Sequence, residues 1–180
     1  MRRFFMIVLV GLAIMGISGV GAAAKSEWKP ILIEKKDLKV EVSAPEEVRQ
    51  TGEADDGDDT TSYEYRTSTG EKGMLVLTKP FGIPEKMKKS KYYLDDWSEA
   101  ERQGFLGAMN QGSNSSESDY QFVTLKNGHR VGLKKVDYGG LQGEQIVFIS
   151  SPYVVLLMVA GNREEVDEKY LKRSWDSVKF

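Results

Sequence analysis

The chain of 180 residues contains no cysteine and only one histidine. Without thiols it can form no disulfide, hold no zinc through thiolates and accept no lipid at a cleavage-site cysteine. Glycine-rich phosphate-binding and dinucleotide-binding patterns are also missing from the mature region. We therefore expect a fold stabilised by its hydrophobic core, with no catalytic, cofactor-binding or metal-ligating residues.

The chain also lacks a strong charge of either sign. It has 25 basic and 27 acidic residues and a formal net charge of −2. Nonspecific nucleic-acid binding depends on neutralising many phosphates, so this balance excludes a nucleic-acid partner of that kind.

The N-terminus carries the one extended apolar run that resembles a targeting signal. Two arginines precede the apolar stretch from Phe4 to Val20, and small residues follow as far as Ala24. This order predicts a signal peptide over residues 1–24 and a single mature domain over residues 25–180. A periplasmic or extracellular protein is expected. Because a run of about 17 residues is at the lower limit for crossing a bilayer, an uncleaved N-terminal membrane anchor stays open as an alternative.

Hydropathy patterns in the first half of the mature region predict three strands and a helix. Residues 38–42, 61–67 and 73–78 are expected to form strands, whereas the start of the mature region is expected to be loose. The acidic stretch from Glu53 to Asp59 is interpreted as a loop. Helical spacing then extends from Tyr92 to Met109. Its apolar face is predicted to contain Leu94, Trp97, Ala100, Gly104 and Ala108, with Phe105 and Met109 beside them.

The second half predicts two hairpins and a closing helix. Asn127-Gly128 favours a two-residue turn, with Lys126 facing His129 and Phe122 facing Leu133. The strand from Tyr153 to Ala160 is apolar at nearly every position, which indicates burial on both faces. Asn162 and Glu165 resemble a capping box, from which the last helix is expected to begin.

The C-terminal part resembles the PsbP-like superfamily, which includes PsbP and the DcrB-like exported proteins. The resemblance lies in the order of elements and in residues 143–148, 153–161 and 170–180. It implies an α+β fold in which an antiparallel sheet is flanked by helices on both faces, an α/β/α sandwich. It also implies a non-catalytic accessory or binding role. No site residue of the family can be transferred, because no functional motif is matched.

His129 is the obvious candidate for acid–base chemistry, but its surroundings in the sequence favour another interpretation. It follows a predicted turn, where its ring should be largely exposed, and the mature region has no Gly-x-Ser-x-Gly motif. The acidic stretch does not match a calcium loop either. With Gly57 at the loop glycine, the first and third ligand positions would be Gly52 and Ala54.

Three further features each allow both a functional and a purely structural interpretation. A cluster of four lysines could contact anionic headgroups or cell-wall polymers, but it is interpreted as a solvated loop. It consists of Lys86, Lys88, Lys89 and Lys91. Trp97 and Trp175 are expected in the core rather than in a ligand pocket. Asn114 fits the glycosylation pattern, which matters only in a eukaryotic host.

The sequence therefore predicts an exported, non-catalytic binding or accessory protein that acts through its surface. Its expected partner is another envelope protein. Two alternatives remain open. One is a small hydrolase of cell-envelope polymers, which would require a cleft with paired carboxylates. The other is an accessory protein anchored in the membrane by its N-terminal segment.

Overall fold

The computed structural model describes most of the chain beyond residue 26. The described residues are 27–35, 38–45, 47–57, 60–67, 72–80, 93–110, 119–138, 140–150 and 153–180. The predicted signal peptide, the lysine cluster and Asn114 lie outside them. The strands are β1 (Trp28–Lys35), β2 (Leu38–Pro45), β3 (Arg49–Gly57), β4 (Thr60–Arg66), β5 (Lys72–Pro80), β6 (Gln121–Thr124), β7 (Arg130–Tyr138), β8 (Leu141–Ser150) and β9 (Tyr153–Asn162). The helices are α1 (Tyr93–Asp96), α2 (Glu99–Asn110) and α3 (Glu168–Asp176).

The strands form two antiparallel sheets. The larger sheet has seven strands in the order β3-β4-β5-β9-β8-β7-β6, and β1 and β2 form a separate two-stranded ribbon. With few helices and antiparallel pairing throughout, the described part of the chain is a mixed α and β fold, as predicted.

Strand β9 lies at the centre of the larger sheet, between β5 and β8. Leu156 and Leu157 point to opposite faces of the sheet because side chains alternate along a strand. Both are buried, with exposed fractions of 7% and 0%. The prediction of a strand buried on both faces is confirmed.

The expectation of a loose start to the mature region is wrong from residue 28 onward. Strand β1 pairs along its whole length with β2, and Ile31 and Ile33 face Val42 and Val40. Ile33, Val40 and Val42 are buried in the core. The burial of this apolar face orders the ribbon.

The acidic stretch is also misassigned as a loop as far as Gly57. It belongs to β3, where Glu53 pairs with Tyr63 and Asp55 with Thr61 of β4. Strand β3 is an edge strand with two register shifts, and the side chains from Glu53 to Asp55 are exposed. A solvent-facing edge tolerates acidic residues that a central strand would not. Asp58 and Asp59 lie outside the described residues.

The predicted continuous helix is interrupted at Trp97 and Ser98. The Ser98 Oγ accepts a bond from the Glu101 backbone N–H at 3.3 Å, and the Ser98 backbone N–H donates to Glu101 Oε2 at 2.9 Å. These reciprocal bonds form a capping box that starts a second helix. The guanidinium of Arg102 donates to the carbonyls of Leu94 and Trp97, at the end of the first helix.

This break changes the buried face of the helix. Leu94 and Trp97 are buried as predicted, but Ala100, Gly104 and Ala108 are exposed. The residues of α2 that are buried are Arg102, Phe105 and Leu106. Because α2 has its own cap, the apolar spacing of the first turn does not carry over into it.

The first late hairpin is present, but its predicted register is wrong by one residue. Phe122 pairs with Gly132, not with Leu133. The Leu125 N–H donates to the His129 carbonyl at 2.8 Å, and the Gly128 N–H donates to the Leu125 carbonyl at 2.9 Å. Gly128 has a φ of 89°. The loop therefore has three residues and ends in a left-handed glycine, which forms a G1 bulge.

The last helix starts later than predicted. The backbone carbonyl of Asn162 accepts bonds from the N–H groups of Glu165 and Val166, which form a turn. The N-cap of α3 is Asp167. The Asp167 carboxylate accepts a bond from the Tyr170 N–H at 2.7 Å. Residues 162–166 therefore form a turn that joins β9 to the helix. Val166, Leu171, Trp175 and Val178 are buried, as their spacing predicts.

Candidate functional site

The only histidine of the chain lies where three distant segments meet. His129 follows the β6–β7 turn, and Asp95 reaches it from α1. The Asp95 Oδ2 lies 3.0 Å from His129 Nδ1, and Asp95 Oδ1 accepts a bond from the Arg130 backbone N–H at 2.9 Å. One carboxylate thus fixes both the imidazole ring and the start of β7.

The third segment is the C-terminal end of the described chain. The ring of Phe180 lies 4.8 Å from the ring of His129, centroid to centroid. The Asn127 side-chain amide donates to the carbonyl of Val178 at 2.9 Å, while its oxygen accepts a bond from the His129 N–H. The side chain of His129 is only 21% exposed. The expectation of a largely exposed ring is therefore wrong, because Asp95 and Phe180 cover it.

The geometry allows two kinds of chemistry. A carboxylate bonded to Nδ1 selects one tautomer of an imidazole and fixes the orientation of the ring, which is what a hydrolase would require. The same bonds also attach α1, the hairpin and the C-terminal segment to one another. Within the described ranges, no group of three or more His, Asp or Glu side chains is placed to hold a metal ion.

The tryptophans predicted to be core residues are both buried. The ring of Trp97 meets Phe105 edge-on at 5.7 Å, centroid to centroid. The Trp175 Nε1–H donates to Glu144 Oε2 at 2.6 Å. Glu144 has a carboxylate that could take part in chemistry, but its sequence context does not distinguish it from other acidic residues. A carboxylate between Gly143 and Gln145 in a strand gives no signal that it faces an indole.

A second polar group joins the ribbon to the larger sheet. The Lys35 Nζ donates to Thr61 Oγ1 at 2.5 Å and lies 5.6 Å from the centre of the Tyr153 ring. Nearby, burial is the main cause that raises the pKa of Tyr63, and the charges of Glu53 and Tyr153 raise it further. Burial also raises the pKa of Tyr65. These phenols are therefore neutral hydrogen-bonding groups at ordinary pH.

Among the described residues, no helix is both long enough and apolar enough to cross a membrane. No protein-family model matches the chain, and no curated protein matches it either.

A solved structure does match. It is that of cyanobacterial PsbP (CyanoP) from Synechocystis sp. PCC 6803 in solution, with a TM-score of 0.52 and 12% sequence identity. The match covers 91% of this chain and 98% of the other. At this level of identity the likeness concerns the fold. The chain therefore has a PsbP-like fold.

Proposed function

We propose that this protein is an exported accessory or binding protein that acts through its surface, with another envelope protein as its partner. The observation that carries the proposal is the structural role of the His129 side chain. Its ring is held by Asp95 and packed against Phe180, so it serves to join three segments of the fold.

Two other charged side chains, those of Arg102 and Glu144, also bond parts of the fold to one another. The Arg102 guanidinium binds two carbonyls at the end of α1, and the Glu144 carboxylate binds the Trp175 indole. Buried polar groups that satisfy one another stabilise one arrangement of the chain. These links support a rigid scaffold with its function on the outside.

Export is supported by the N-terminal sequence. A basic start, an apolar run and small residues ending at Ala24 are typical of a signal peptide. A periplasmic or extracellular location follows from this pattern.

We also infer the three-layer arrangement that the resemblance implies. A Cβ added to Gly132 of β7 would lie 2.6 Å from Leu106 of α2, so this helix lies close to one face of the larger sheet. Glu144 and Phe148 of β8 contact Trp175 and Phe180. They point to the other face, because they alternate with Val147, the partner of Gly132.

The experiment compares catalysis with support at His129. A deletion strain is complemented by wild-type protein or by His129→Asn at matched levels. Asparagine keeps a donor near the position of Nδ1 but cannot exchange a proton at neutral pH. We expect His129→Asn to restore the wild-type phenotype. His129→Ala serves as the control that also removes the bond to Asp95.

The hydrolase alternative predicts a different result. If His129→Asn has the wild-type melting temperature and still behaves like the deletion, proton transfer at His129 is required. The non-catalytic proposal would then be wrong.

A further inference from the structure

The ribbon has one edge that is bonded to the C-terminal segment and one edge with which no strand of the described residues pairs. On the bonded edge, the backbone N–H and carbonyl of Glu41 exchange bonds with Lys179 at 2.8 and 2.9 Å. The Ser43 N–H donates to Ser177 Oγ at 2.8 Å. These bonds lead away from β1, toward the C-terminal segment.

The direction of these bonds fixes the direction of the backbone groups in β1. Opposite residues in an antiparallel pair either exchange both bonds or exchange none. Glu41 faces Leu32, and it uses its groups on the far side. The N–H and carbonyl of Leu32 must therefore point away from β2, and those of Glu34 do the same.

Proline supports this assignment. Pro30 faces Ser43, so its nitrogen also lies on the outer side of β1. Within sheets, proline is found where the missing N–H would face solvent. In the described part of the chain no strand pairs with this outer edge of β1.

An exposed apolar side chain lies at the middle of the same edge. Leu32 is 46% exposed and is the large hydrophobic residue that stands out on the described surface. Its neighbours on that face, Pro30 and Glu34, are exposed as well. An open edge with an apolar centre is a surface on which another strand can pair.

We propose that two copies of this protein associate through antiparallel pairing of their β1 strands, centred on Leu32. The N–H of each Leu32 would donate to the Leu32 carbonyl of the other copy. Each Glu34 N–H would donate to the Pro30 carbonyl of the other copy. The missing N–H of Pro30 leaves only the Glu34 carbonyl to water.

The edge fits a second copy because it is complementary to itself about Leu32. Apolar side chain meets apolar side chain, and the only group without a donor lies at the periphery. The contact is also small, since one pair of strands buries far less than a stable interface requires. Lys29 would face Lys35 of the other copy, and like charges oppose pairing. The association is therefore weak and is favoured by high protein concentration and high salt.

The absence of cysteine permits a direct test with the purified exported protein. In this register two copies of residue 32 form a hydrogen-bonded pair, with Cα atoms about 5.5 Å apart. That separation suits a disulfide. We expect Leu32→Cys to form a disulfide-linked dimer at least tenfold faster than Glu34→Cys. Glu34→Cys is the matched control, because it lies on the same exposed face but its two copies would be far apart.

A second measurement avoids the introduced thiol. Sedimentation equilibrium of the wild-type protein should show a dimer fraction that rises with concentration, and Leu32→Glu should reduce that fraction at least tenfold. Unchanged melting temperatures for the variants show that folding is intact. Equal cross-linking rates at positions 32 and 34 would overturn the proposal. So would a wild-type protein that stays monomeric at millimolar concentration, a result expected if a strand of another protein occupies the edge.

Discussion

Phe180 stacks on Phe148, with ring centroids 4.1 Å apart and an angle of 19° between the ring planes. Phe148 belongs to β8 in the interior of the larger sheet, and both rings are buried. An offset or tilted aromatic pair adds to the free energy that burial itself provides. The C-terminal segment is thus part of the core.

Phe180→Ala should lower the free energy of unfolding by about 3 kcal/mol, the lower end of the range for truncating a buried phenylalanine. Urea denaturation monitored by circular dichroism measures the change. Lys179→Ala is the matched control. The Lys179 amine bonds the Glu41 carboxylate at an exposed site, so its loss should cost less than about 1 kcal/mol. If Phe180→Ala lowers the free energy of unfolding no more than Lys179→Ala does, the aromatic stack does not contribute to stability as proposed.

Two glycines should respond to the same substitution in opposite directions. A Cβ at Gly143 would lie 2.0 Å from the carbonyl oxygen of Val159 and 2.7 Å from the Cα of Ala160. Gly143→Ala must therefore separate β8 from β9 and should destabilise the protein strongly. A Cβ at Gly104 of α2 meets nothing within 4 Å. Gly104→Ala should stabilise by about 0.5–1 kcal/mol, because alanine favours a helix. Melting temperatures test both, and a tolerated Gly143→Ala would contradict the close approach.

Aspartate should be excluded from both faces of β9. Leu156→Asp and Leu157→Asp each place a carboxylate at a buried position, where loss of hydration disfavours the charge. Both variants should lose the cooperative thermal transition. Leu156→Met, which keeps the volume, should retain it. If only one aspartate variant unfolds, one face of the sheet is more open than the structure indicates.

Stability should fall at alkaline pH because of buried phenols. The pKa of Tyr170 is raised mainly by burial and further by the charges of Glu47 and Glu165. Since its pKa in the folded state exceeds that in the unfolded state, its contribution to stability is complete below about pH 10 and is lost as pH rises above that value. Tyr170→Phe should make the decline of the melting temperature between pH 9 and 11 less steep, on the order of one proton fewer in the linkage. An unchanged slope would mean that the pKa of Tyr170 is the same in the folded and the unfolded state.

Export should leave a mature protein that begins at or near Lys25, since the small-residue site ends at Ala24. Mass spectrometry of the protein from the periplasmic or culture fraction measures the terminus. Ala24→Leu is the control that should block cleavage. Recovery of the wild-type chain intact in the membrane fraction would favour the anchored alternative.

The sequence predicts the strands and the final helix well, because burial imposes its own period on the residues. Val155 to Val159 are all buried, and in the stripe from Val166 to Val178 every predicted core position is buried except Tyr170, which is partly buried. Boundaries and register are less predictable. The three-residue turn at Gly128 is bordered by bonds from Asn127 to Val178 and from Arg130 to Asp95. These partners are 51 and 35 positions apart in the chain, so a local pattern does not contain them.

The candidate site is harder to predict from the sequence than the fold, because its residues are also distant from one another in the chain. His129 could be singled out as the only histidine, but Asp95 is one of many acidic residues and carries no local signal. The helix break at Ser98 shows the opposite case. Ser98 and Glu101 have the spacing of a capping box, a local signal for a helix start that the apolar period of residues 92–109 does not contain.

The bond between Glu41 and Lys179 spans 138 positions of the chain. Strand β2 therefore cannot complete its outer edge until residues 177–180 have left the ribosome, and Phe148 cannot gain its stacked ring any earlier. Contacts of such long range are made late in folding. Until those residues are available, the chain lacks the outer partner of β2 and the ring that stacks on Phe148, and so it lacks part of its native core.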